Sequence, residues 1–103
     1  GTTAAPSVEA IEVATDSGGT ATVEVGAVFH ARLPVPNSGL ARELGCDLGP
    51  DGSVLVDAFQ RTTVPGVWAV GDVAGMPHQI SFSLAQGAMA GTDCHRRLMG
   101  MWP

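Results

Sequence analysis

The stretch T-T-V-P-G-V-W-A-V-G-D-V-A-G, residues 62–75, couples a turn, an apolar strand and one placed carboxylate. Pro65-Gly66 is a turn signal, and Val67, Trp68, Ala69 and Val70 form an apolar run without alternation. That is the pattern of a short strand buried on both faces within a parallel sheet. Gly71 then admits close approach of the backbone to something bulky. Asp72 falls at the carboxyl end of the strand, where open α/β sheets bind their ligands. The same residues also fit a core strand followed by a turn whose aspartate bonds only its own backbone. Local chemistry leaves both readings open.

Downstream, residues 79–99 read as a helix with Ser81 or Ser83 as its cap and Leu84, Ala88 and Gly91 on one face. Ala85, Gly87, Ala88, Ala90 and Gly91 make that region unusually small. Each interior glycine costs about 1 kcal/mol against alanine, so two of them call for a packing reason: close approach to a sheet or to a flat ligand. The first turn of such a helix leaves backbone N–H groups unpaired and carries roughly half a positive charge, which suits an anion or an electron-rich oxygen.

Upstream, residues 8–13 and 20–25 carry β-branched residues at alternate positions around Asp16-Ser17-Gly18-Gly19, which predicts an antiparallel hairpin. Residues 27–31 should continue as a third strand. The prolines at 34 and 36 forbid a central strand and mark residues 33–38 as a linker. Ser38 can cap a short helix running to about Leu44, with Gly45 closing it. Asp51-Gly52 predicts a turn into a strand over 53–56.

R-T-T-V-P-G-V-W-A-V-G-D-V-A and H-Q-I-S-F-S-L-A-Q-G-A-M-A-G, starting at Arg61 and His78, resemble the carboxy-terminal part of FAD-dependent pyridine-nucleotide oxidoreductases, those similar to thioredoxin reductase in particular. The segment from Gly26 to Arg32 with Pro36-Asn37-Ser38 is similar to the exit from the nicotinamide domain of such enzymes. Leu44-Gly45-Cys46 through Asp51-Gly52 is similar to the loop before their last FAD-domain strands. The resemblance covers roughly nine tenths of the chain with its pieces in order. It implies an α/β fold, α+β within this stretch: the C-terminal part of a two-domain FAD/NAD(P)-binding Rossmann-like architecture. Residues 1–32 would end the NAD(P)-binding domain, 33–38 would cross over, and 39–103 would close the FAD-binding domain.

The resemblance also implies a site. Residues matching Gln79 and Ile80 offer backbone N–H groups to the pyrimidine side of the flavin. The aspartate matching Asp72 bonds its ribityl and phosphate portion, with Gly71 and Val73 in contact. His78 stands where an arginine is common in thioredoxin reductases, and an imidazole lacks the planar five-donor fork of a guanidinium. No G-x-G-x-x-G is present to hold a pyrophosphate, and Gly18-Gly19 and the Gly49/Gly52 pair read as turns. Two nucleotide-binding domains of roughly 150 residues each need a much longer chain, so the 103 residues are expected to be a fragment or a truncated relative.

Composition narrows the remaining functions. Ten acids face five arginines and no lysine, a net charge of −5, which argues against nucleic-acid or anionic-membrane binding. Hydrophobic residues at 45% with charged ones at 15% give enough apolar material for a core and hint at faces meant to be covered. Cys46 and Cys94 lie far apart and form no C-x-x-C, so they read as free thiols, Cys46 packed between Leu44 and Leu48, with neither catalytic. Arg96-Arg97 reads as a solvated helix end complementing the dipole. His30 reads as strand filling or a satisfied polar group, and His95 as surface. No run approaches eighteen apolar residues and no leader pattern opens the chain, which makes the cytoplasm the expected location.

The expectation is therefore the C-terminal portion of an enzyme that passes hydride from NAD(P)H through FAD to a disulfide or another acceptor. This segment would supply flavin positioning and no acid, base, nucleophile or metal ligand. A remnant that binds nothing, or a module that docks a partner through its apolar strand and small-residue helix, are the alternatives. Unpaired strand edges further predict a homo-oligomer, or association with the remainder of the same enzyme.

Overall fold

The computed structural model describes residues 5–101. The chain divides into two compact units, Gly1–Leu33 and Pro34–Pro103. The first is built on the expected hairpin: β1 (Ala10–Ala14) pairs antiparallel with β2 (Thr20–Glu24), Ala10 opposite Glu24 and Ala14 opposite Thr20. Thr15 organises the turn. Its carbonyl accepts from Gly18 N at 3.0 Å, its N–H reaches Gly19 O at 2.9 Å, and its hydroxyl accepts from Gly19 N at 3.2 Å. Gly18 takes φ +83°, a left-handed backbone that a side chain would resist.

Residues 27–31 do not form the expected third strand. The last bond of the hairpin is Val25 N to Glu9 O at 3.0 Å, and residues 27–31 pair with neither outer edge of the two-stranded sheet. Phe29 is 95% exposed and His30 is exposed beside it, so the reading of His30 as strand filling is corrected.

The second unit begins with irregular backbone at the prolines and enters the short helix α1 (Gly39–Glu43). Gly45 closes it as expected, at φ +87° with its N–H on Arg42 O at 3.0 Å. Ser38 occupies the cap position, but its buried hydroxyl donates to Gly52 O at 2.7 Å and makes no cap bond. It pins the 51–52 turn, where Gly52 has φ +84° and bonds Gly49 O. Residues 53–56 extend without becoming a strand. A single antiparallel bridge joins Val54 to Leu48, while Val54 N turns the other way, to Val73 O at 2.8 Å. Val54, 1% exposed, is fully buried and with Cys46 and Ala90, at 6% and 8%, makes up the buried apolar core of the described residues.

The deciding stretch doubles back on the segment before it. Thr62 N bonds Val67 O at 3.0 Å, Ala69 N bonds Gln60 O at 3.1 Å, and Arg61 bridges Trp68. The Pro65-Gly66 turn between them is tightened by Thr62 Oγ1, which accepts from Val64 N and donates to Val67 O. Val67, Trp68 and Ala69 are half-buried and Val70 is 38% exposed, so the strand expected to be buried on both faces is here a single bridge on a partly exposed segment. Helix α2 (Ile80–Leu98) follows, with Gln79, not Ser81 or Ser83, at its cap. Ser83 lies a turn inside and donates to Gln79 O at 3.2 Å.

The orientation of α2 inverts the sequence reading. Leu84 is 70% exposed, Ala88 is exposed, and a methyl added at Gly87 or Gly91 would meet nothing within 4 Å. The inward stripe is instead Ser83, Gln86, Ala90, Asp93 and Arg97, mostly polar. Polar side chains can face inward because the rest of the unit supplies partners for Gln86 and Asp93. No helix of the described residues is long and apolar enough to cross a membrane.

Candidate functional site

Between the bridge and α2 lies a 3-10 turn, Gly71–Ala74. Its entry demands glycine: φ at Gly71 is +76°, and a Cβ there would stand 3.3 Å from Ser83 Oγ. The turn is held from both sides. Val73 O accepts from Val54 N, and Gly71 N donates to Gln86 Oε1 at 2.7 Å. Asp72, the next residue, is exposed and lines an open hollow of about 460 Å³ with His78, Gln79, Ile80, Ser83 and Leu84. Four of the six residues singled out from the sequence thus share one concavity. Gly71 and Val73 are half-buried in the turn that forms its wall.

The floor of the hollow is the amino terminus of α2. The first bond along this helix is Ser83 N to Gln79 O at 3.0 Å, so the amides of Ile80, Ser81 and Phe82 have no intrahelical partner, whereas the Gln79 amide, expected to face the flavin, donates to Pro77 O at 3.1 Å. No side chain caps the end and no acid sits in the first turn. The exposed Asp72 carboxylate and the helix end at Ile80 therefore share one space. That donor set fits the polar edge of a flavin, anionic or carbonyl oxygens at the helix end and hydroxyls at Asp72. It fits only part of the cofactor, because the chain carries no glycine-rich turn for the pyrophosphate.

His78 is half-buried. The Asp51 carboxyl is lowered, first by the Ser53 hydroxyl at 2.6 Å and then by the Ser53 amide at 3.0 Å. Ser53 Cβ in turn packs 3.9 Å from where a Cβ on Gly75 would stand, closing the far end of the 3-10 turn.

Sequence reasoning missed a second polar centre. Asp93, 4% exposed, accepts from Arg61 Nε at 2.8 Å and Trp68 Nε1 at 2.9 Å, with a further Arg61 bond to its other oxygen. Arg97 Nε lies 3.6 Å away. The Asp93 carboxyl is lowered to about 2, first by the Arg61 hydrogen bond, against the opposing effect of burial, and then by Trp68 and the charges of Arg61 and Arg97. Asp93 is the only acid in residues 79–99, which was the available signal. Arg97 is accordingly half-buried, a correction to the reading of a wholly solvated pair, whereas Arg96 and His95 are exposed. Cys46 is buried as expected and Cys94 half-buried, both as free thiols.

A glycine-entered turn carrying an aspartate lies beside the amino terminus of a long helix, an arrangement that occurs at the carboxyl ends of strands in Rossmann-like folds. Residues 2–91 match the pyridine nucleotide-disulphide oxidoreductase family, to which the chain belongs. Among solved structures, the thioredoxin reductase of Streptococcus pyogenes MGAS5005 superposes with a TM-score of 0.77 over 91% of this chain and 31% of that one, at 26% identity. The thioredoxin reductase of T. acidophilum matches at TM-score 0.67 and 30% identity, over 82% and 28%. Among curated relatives, the dihydrolipoyl dehydrogenase of Zymomonas mobilis is 44% identical over 71% of this chain and 16% of its own length. The trypanothione reductase of Trypanosoma congolense is 34% identical over 71% and 15%. The chain is thus an α+β part of a thioredoxin reductase-type Rossmann-like fold, spanning less than a third of these relatives.

Proposed function

We propose that the chain is the C-terminal portion of a flavin-dependent oxidoreductase that moves hydride from NAD(P)H through FAD to a disulfide or another acceptor. The observation that carries this reading is the hollow in which Asp72, His78, Gln79 and Ile80 meet an uncapped helix end. When bound, the flavin supplies the two-electron carrier, and the residues of this chain position it. The first-turn amides of α2 donate to its electron-rich edge and favour negative charge there. Asp72 accepts from ligand hydroxyls and fixes their direction. Gly71 and Val73 set the height of the turn beneath them. Acid, base and nucleophile belong to other parts of the enzyme, as does the pyrophosphate site.

The parent is proposed to be cytoplasmic and to form a homo-oligomer. The rest of the same polypeptide would cover the exposed apolar residues, among them Leu40, Val70, Ile80 and Leu84. A non-catalytic, self-associating remnant is the second reading, favoured by those same exposed side chains together with the missing glycine-rich turn. An absorbance scan decides between them. The full-length parent, purified without added cofactor, should show a flavin band in the blue that NADPH or NADH bleaches, and a colourless parent would overturn the proposal. The isolated chain should lose any flavin on extensive dialysis, because most of a long ligand lies beyond its reach.

A further inference from the structure

We propose that Gln86 is the positioning residue for Asp72, an inference that takes the flavin reading of the hollow as its basis. The 3-10 turn receives no side-chain cap from Val70, the residue that precedes it, so its leading N–H needs an acceptor from elsewhere. Gln86 provides it from two helical turns inside α2, through Oε1 at 2.7 Å from Gly71 N. The left-handed φ of Gly71 allows this geometry by turning its amide toward the helix.

On its other side the turn is tied to residues 53–54 by the 2.8 Å bond from Val54 N to Val73 O. Ala69 N on Gln60 O holds the chain two residues ahead of the turn, and Gly75 N on Asp72 O closes it. The tie at Gly71 adds the one bond from α2, and Asp72 is the residue between the ties at Gly71 and Val73. The direction of its carboxylate is therefore set by the helix whose amino terminus forms the other half of the site. Gln86 couples the two halves without lining the hollow itself, so it acts through Asp72 and not on the ligand.

The test uses two variants of the chain followed by amide NMR. Gln86→Met keeps the length and removes the acceptor, while Gln86→Glu keeps an acceptor oxygen. In Gln86→Met the Gly71 amide should exchange on the order of tenfold faster and the Asp72 signal should shift or broaden. In Gln86→Glu both should stay close to wild type. Titration with FAD then reads the consequence: wild type should show shifts at Asp72, Gln79 and Ile80, and Gln86→Met should lose the Asp72 response while keeping the two at the helix end. Unchanged Gly71 exchange in Gln86→Met, or an unaltered Asp72 response to FAD in that variant, would overturn the assignment of Gln86. If wild type shows no response to FAD anywhere, the assignment of Gln86 to Asp72 stands or falls on the exchange and Asp72 signals alone, and the flavin reading stands or falls on the absorbance of the full-length parent.

Discussion

One substitution made at two glycines should move stability in opposite directions. At Gly71 alanine must accept φ +76°, which costs a non-glycine residue about 1–2 kcal/mol. Its Cβ would also press on Ser83 Oγ at 3.3 Å, and moving that hydroxyl aside strains the bond it makes to Gln79 O. Against these, the smaller entropy of alanine in the unfolded chain returns about 0.4–1 kcal/mol. The net expectation is a loss of about 1 kcal/mol or somewhat more. At Gly87 the backbone is helical and a methyl meets open space within 4 Å, so alanine should gain about 0.8–1.0 kcal/mol. Urea unfolding of the 103-residue chain, followed by far-ultraviolet circular dichroism, measures both. The double variant Gly71→Ala with Ser83→Ala should recover the contact part of the loss and leave the backbone part. A neutral Gly71→Ala, or a Gly87→Ala that destabilises the chain, would refute the reasoning.

Three further expectations follow from the same geometry. Asp93, lowered to about 2 from 3.8, contributes stability that is complete above about pH 4 and disappears as pH falls from there toward 2; Asp93→Asn should flatten an acid titration of stability across that window, and parallel wild-type and variant curves would count against the cluster. In the intact enzyme, Asp72→Ala should lower flavin occupancy by an amount on the order of 1–3 kcal/mol with the fold retained, whereas full occupancy with reduced thermal stability would mean that the aspartate serves only its turn. Light scattering at micromolar concentration should find the isolated chain associated, because Val70, Leu84 and Ile80 lie open at 38%, 70% and 82%; a soluble monomer would show that the chain completes its core by itself.

Local signals carried the elements whose determinants sit within a few residues. The hairpin, the Gly45 stop of α1, the Asp51-Gly52 turn and the long helix follow from turn chemistry and periodicity, and the structure has them all. Strands at 27–31 and 53–56 and the doubly buried 67–70 required neighbours, and strand formation depends on a paired edge that a sequence pattern does not supply. The face of α2 was misread because apolarity was assumed to point inward; its inward positions are chosen by hydrogen-bond partners 15 to 32 residues away, Gly71 for Gln86 and Arg61 for Asp93. Asp72, Gln79 and Ile80, named together from the resemblance, do line one hollow because they lie close in the chain, whereas the bonds of Gln86 and Asp93 span too many residues for a local pattern to show.

The polar seam under α2 divides the thermodynamics of this helix into two unlike parts. Seating it against Arg61, Trp68 and Gly71 forms directional bonds from mostly polar side chains, so that step should carry the smaller heat-capacity change. Covering its outer side, with Leu84, Ala88 and Met89, would remove mainly apolar surface and should carry most of the heat-capacity decrement. Cooling would then weaken what lies over the helix well before it loosens what lies beneath, leaving the register of Asp72 and the helix end intact when the outer layer has already begun to lift.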